Sequence, residues 1–135
     1  MVATRHAGTG GAGLFLDYGP ARSGLGDSLQ ALRSGRSCDP LSAPGSADLT
    51  AHVDFAAFAA AAIPAQVHGP VAQGPFLAAL GLFQRTGRLA RTQPPARAAA
   101  LVQSAQRLAE PDRMGGLFKA LCLCQPGLPT PPGFE

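Results

Sequence analysis

The sequence has no tryptophan and a single tyrosine, Tyr18, so its core must be assembled from alanine, leucine, valine and its seven phenylalanines. Charge is scarce at 14% of residues, and lysine occurs once, as Lys119. The arginines run from Arg5 to Arg113 without a dense cluster. A nucleic-acid face needs clustering, so none is expected. Cysteine is limited to Cys38, Cys122 and Cys124. An odd count with a C-x-C pair excludes a disulfide framework, and no Cys/His group has zinc spacing. No metal site is therefore expected. No apolar run reaches the roughly 18–20 residues of a membrane-spanning helix. Met1 to Gly13 has no hydrophobic stretch suited to a secretory signal, and the expectation is a soluble cytoplasmic protein.

What remains is globular in composition. Apolar residues make up 46% of 135 positions, enough for one domain with a core. Seventeen glycines and 13 prolines divide it into short elements. Gly13 to Leu16 is a short apolar run closed by Asp17-Tyr18-Gly19-Pro20, the pattern of a buried parallel strand. Arg22 to Gly45 is rich in turn residues, with room for one short element near Ser28 to Arg33. Asp54 to Ala62 reads as a helix, with Asp54 as N-cap, Phe55, Phe58, Ala59 and Ala62 on one face, and Pro64 beyond its end.

Gln66 to Gln73 is a second strand. Pro75 to Gln84 follows as a helix with proline at its first position and Phe76, Leu77, Leu80 and Phe83 as its buried stripe. Pro95 to Glu110 is the longest helix, with Ala98, Leu101, Val102, Ala105 and Leu108 on one side. Leu117 to Leu123 is a third strand. Met1 to Ala12 is expected to be a flexible lead-in, and Gln125 to Glu135 a proline-rich surface tail. The order of elements fits the end of an α/β sheet in one partial domain covering residues 1–135.

Three stretches carry possible chemistry. Gly8, Gly10 and Gly13 form a G-x-G-x-x-G string, but it precedes a strand and opens no helix, so a phosphate contact is not expected. Asp17 and Tyr18 fall at a strand's C-terminal end, where α/β sheets bind ligands. Ala47 to Asp54 is dense in polar groups. It reads first as a helix start, in which Asp48 and Thr50 bond local backbone and Asp54 caps, in a segment that also faces a pocket. No Ser-His-Asp arrangement is supported, for want of a nucleophile elbow. Gln73 either donates to a ligand or caps the following helix.

Several blocks together resemble one family. Asp17-Tyr18-Gly19, Gly26 to Ala31, Asp39-Pro40-Leu41, Ala47 to Phe55, Gly69-Pro70-Val71, Gln73 to Leu77 and Met114 to Lys119 fall in the order seen in the MidA-like class I S-adenosylmethionine-dependent methyltransferases. The resemblance implies a Rossmann-like, mostly parallel sheet. It makes Gly13–Leu16 the fifth strand, Val67–Val71 the sixth and Leu117–Leu123 an antiparallel seventh. It implies methyl transfer from S-adenosylmethionine to a protein side chain, arginine, in a bacterial cytoplasm or a mitochondrion. Asp17, Tyr18, Asp48, Thr50 and Asp54 are then the candidates for the acceptor pocket, and no residue is assigned as catalytic. The family's glycine-rich cofactor loop has no counterpart here. The sheet is expected to be incomplete, with an open edge at Gly13–Leu16 suited to self-association. The other reading is a non-catalytic remnant or assembly module.

Overall fold

A computed structural model describes residues 10–135. Its principal sheet has three strands in the order β1 (Ala12–Tyr18), β6 (Phe118–Cys124), β5 (Gln66–Ala72). β6 is antiparallel to both neighbours, with Leu14 opposite Cys122 on β1 and His68 opposite Cys122 on β5. The strand expected to be antiparallel is thus antiparallel and lies between the other two, one residue further along than read. β5 carries an irregularity between His68 and Val71, where Gly69-Pro70 interrupts the ladder.

Alternation along the strands sends Phe15, Leu121, Leu123 and Val67 to one face. Helix α1 (Phe55–Ala61) covers that face. Phe55 is fully buried and joins Ala62, Ala65, Leu121 and Leu123, with Phe15, Val53, Phe58, Ala59 and Val67 packed around them. The Phe15 and Phe58 rings meet edge to face at 4.9 Å, an arrangement their quadrupoles favour. Burial of the expected first strand is one-sided: Leu14 and Leu16, on the other face, remain 51% and 44% exposed.

On that second face lie Ala120, Cys122 and Cys124, all buried. The two sulfurs are 3.5 Å apart and both thiols are free. Burial, together with the neighbouring Cys124, pushes the Cys122 thiol up to about 11. Residues 125–135 are not merely a surface tail. Phe134 folds back so that its ring lies 5.1 Å from Phe76 and 6.4 Å from His68.

The turn-rich stretch holds more structure than its composition indicates. β2 (Gln30–Arg33) pairs antiparallel with β3 (Arg36–Cys38) and with β4 (Asp48–Thr50), forming a second small sheet. The helix expected at Pro75–Gln84 is two helices, α2 (Gln73–Ala79) and α3 (Leu82–Ala90). Gly81, with φ of +86°, adopts the left-handed conformation that ends one and starts the other. Leu80 and Phe83 consequently lie about half exposed instead of completing a buried stripe. α4 (Pro95–Ala109) matches its expected span, with Ala105 buried and Val102 turned outward. A single turn, α5 (Met114–Leu117), leads into β6. Among the described residues no helix is long and apolar enough to cross a membrane.

Candidate functional site

The C-terminal end of β1 is tied to the residues before α1. The Val53 N–H donates to the Tyr18 carbonyl at 3.0 Å, and the Phe55 N–H to the Pro20 carbonyl at 3.4 Å. Gly19 permits this approach: a Cβ there would clash with the Val53 carbonyl oxygen. His52, Val53 and Asp54 are thereby placed beside Tyr18. The Tyr18 ring meets His52 edge-on at 5.5 Å and Phe118 at 5.6 Å.

An open cleft of about 430 Å³ lies at this end of the strand, between Pro20 with the Gly24–Ser28 loop and His52 with Asp54. Hydrogen bonds hold its walls together. Ser23 Oγ donates to Asp54 Oδ1 at 2.9 Å, and the same oxygen accepts the Ala57 N–H at 2.9 Å. Ser28 Oγ accepts the His52 N–H at 3.2 Å, and Asp27 Oδ1 accepts the Leu29 N–H at 2.9 Å. The Ala57 and Ser23 hydrogen bonds hold the Asp54 carboxyl below the usual carboxylate range. The cleft therefore presents a firmly ionised carboxylate, a second carboxylate and an imidazole.

The sequence candidates divide on this geometry. Asp54 lines the cleft, and Tyr18 lies behind it against the His52 ring. Asp17 is adjacent in the chain, but alternation points it to the opposite face, and its Oδ1 accepts the Tyr18 N–H at 2.8 Å. Asp17 pairs in register with Lys119, yet the Lys119 ammonium donates to the Gly116 and Leu117 carbonyls. Asp48 and Thr50 do not belong to a helix start. They lie on β4, opposite Leu32 and Gln30, because cross-strand pairing with β2 satisfies their backbone groups. Thr50 ends its strand two residues before His52, whereas Asp48 borders a separate shallow cleft with Ser34 and Ser46. His52, Ser23, Asp27 and Ser28 were not among the candidates. The signal was available in the Gly26-Asp27-Ser28 block and in the polar stretch containing His52, but nothing local joins the two.

The described residues do not fit a cofactor cradle. Gly8 lies outside them. Gly13 is inside β1, and a side chain at Gly10 would meet the Gln125 carboxamide at 2.8 Å. β5 does run straight into α2, but the junction is filled. Gln73 is buried and donates to the Leu108 carbonyl at 2.9 Å, neither capping a helix nor facing a ligand. Gly74 abuts the Ala109 carbonyl. Among the described residues no group of three or more His, Cys, Asp or Glu side chains is placed to hold a metal.

Residues 1–71 match the family model described as "Putative S-adenosyl-L-methionine-dependent methyltransferase". The chain is 35% identical over 119 residues to the mitochondrial protein arginine methyltransferase NDUFAF7 of Danio rerio, covering 87% of this chain and 28% of that one. It is also 35% identical over 126 residues to the NDUFAF7 homolog of Drosophila melanogaster, covering 91% and 29%. Two solved proteins of Burkholderia thailandensis from one superfamily share the fold. One has a TM-score of 0.78 at 27% identity, over 99% of this chain and 36% of that one. The other, bound to S-adenosyl-homocysteine, has a TM-score of 0.74 at 26% identity, over 99% and 35%. The chain thus spans less than a third of the length of these curated relatives. With the family model, the curated relatives and the solved structures in agreement, this chain belongs to the MidA-like family of S-adenosylmethionine-dependent methyltransferases.

Proposed function

We propose that this chain forms the acceptor side of a methyltransferase acting on a protein arginine, as one partial domain whose cofactor side lies in a further part of the protein. The observation that carries the proposal is the cleft at the end of β1, where Asp27, Asp54 and His52 line one wall system. A guanidinium is planar and permanently charged, and it is held best by carboxylates through charge-assisted hydrogen bonds. Asp54, kept ionised by Ala57 and Ser23, supplies such a carboxylate. Once methylated, the arginine nitrogen must shed a proton, and the His52 ring supplies a nitrogen to accept it. Tyr18 supports the site from behind through its edge-on contact with His52, whereas Asp17, Asp48 and Thr50 lie outside the cleft lining. Positioning of the acceptor is the main contribution expected of these residues.

The names of the curated relatives support arginine as acceptor and mitochondria as a compartment for eukaryotic members. The short share of their length that this chain covers supports the partial domain. The exposed side chains of Leu14 and Leu16 support association through the β1 edge. The proposal is tested by mixing this chain with the N-terminal region of the zebrafish relative, tritiated S-adenosylmethionine and an arginine peptide. Transfer is expected only in the mixture, and D54N is expected to lower kcat/KM roughly tenfold or more. Equal transfer to a lysine peptide, or unchanged transfer by D54N, overturns it. The second reading, a non-catalytic assembly module, is favoured by the absence of a cofactor cradle among the described residues. Its mark would be a mixture that associates and transfers nothing.

A further inference from the structure

Leu25 stands out in the wall of the cleft, beside two carboxylates and an imidazole. Its relative exposure of 109% is greater than that of any other large apolar side chain among the described residues. It nevertheless lines the cleft beside Asp27, His52 and Asp54. The loop that carries it is pinned on both sides. Ser23 is bonded to Asp54 ahead of it, and Asp27 and Ser28 are bonded to Leu29 and His52 behind it. At Gly24 and Gly26 an added Cβ would meet nothing within 4 Å, so the space around Leu25 is open to an incoming chain. A tethered loop thus displays one unpaired apolar side chain next to the groups that face the acceptor.

We infer that Leu25 selects acceptor segments that carry an apolar side chain next to the arginine. The inference rests on the arginine-acceptor reading of the same cleft. The carboxylates fix the guanidinium, and covering Leu25 removes apolar surface from water that a glycine neighbour leaves exposed. Leu25 is therefore a specificity-determining residue that takes no part in the chemistry.

Three blocked pentapeptides test it by titration into the isotopically labelled 135-residue chain, followed in its amide NMR spectrum: Gly-Gly-Arg-Gly-Gly, Gly-Leu-Arg-Gly-Gly and Gly-Leu-Ala-Gly-Gly. The leucine–arginine peptide is expected to bind roughly tenfold tighter than the all-glycine one, with shifts at Asp27, Ser28 and His52. L25S is expected to bring the two affinities together, and L25M to keep them apart. The amide spectrum of each variant reports whether it is folded. Equal affinities in the unaltered chain, or a preference that survives L25S, overturns the inference and leaves the arginine reading standing. A leucine–alanine peptide that binds as tightly as leucine–arginine overturns the arginine reading and leaves the Leu25 contact standing. Binding by none of the three overturns both.

Discussion

Ser23 and Asp54, 31 positions apart, share a hydrogen bond of 2.9 Å that fastens the cleft loop to the N-cap of α1. One carboxylate oxygen thus serves helix, loop and site together. Its folded pKa is lowered from 3.8, chiefly by the Ala57 N–H and then by Ser23. For a depressed acid, the stabilisation is complete above the unfolded value and is lost as pH falls through the folded one. D54A should therefore lower the thermal midpoint at pH 7. The gap between wild type and D54A should close as pH drops below about 4. Calorimetry across pH 2.5 to 7 checks it, and a gap independent of pH would assign the effect to something other than the carboxylate's charge.

Phe55 is fully buried against Leu121 and Leu123. Removing its ring leaves a cavity that α1, held at Asp54, cannot close. F55A should cost about 3–5 kcal/mol in urea unfolding.

Gly19 faces the Val53 carbonyl with no room for a methyl group. G19A should displace residues 52–54 and cost about 1–3 kcal/mol by overpacking. Amide shifts should move at His52 and Asp54 and stay in place on α4. An unperturbed His52 would show that the strand end and the cleft are not coupled.

Cys122 and Cys124 are buried, and the Cys122 thiol is raised to about 11, while Cys38 is partly exposed. Only thiolates react rapidly with a disulfide reagent. Ellman's reagent at pH 8 should titrate Cys38 alone in the native chain and all three thiols in denaturant. Fast reaction of Cys122 in the native state would mean that the second face of the sheet opens readily.

The outer edge of β1 has no strand partner among the described residues, and Leu14 and Leu16 flank it. The chain alone should sediment as dimers or larger species. L14K/L16K should shift it toward monomer without loss of helical signal.

The elements that local chemistry specifies were legible in the sequence. Proline at the start of α4, the Asp54 cap and Pro64 after α1 each act on their immediate neighbours, and those spans agree closely. β3 and β4 were not legible, because strands of three residues exist only through pairing with β2. Phe134 was hidden for a similar reason: proline and glycine around it mark a loop, but Phe76 and His68 decide where it packs. Asp54 was legible as a helix cap, and that cap is what places it in the cleft wall. His52 became part of the cleft through a hydrogen bond to a serine 24 positions earlier, a distance that periodicity does not see.

The middle strand of the principal sheet is the last of its three to leave the ribosome. β1 and β5 are synthesised first, yet their ladders run to β6, with Ala12 and Gln66 both meeting Cys124. Until β6 emerges, two apolar ribbons wait with unsatisfied backbone groups, and closing so long a loop is slow. The sheet therefore zips together in one late step, when β6 meets both of its partners.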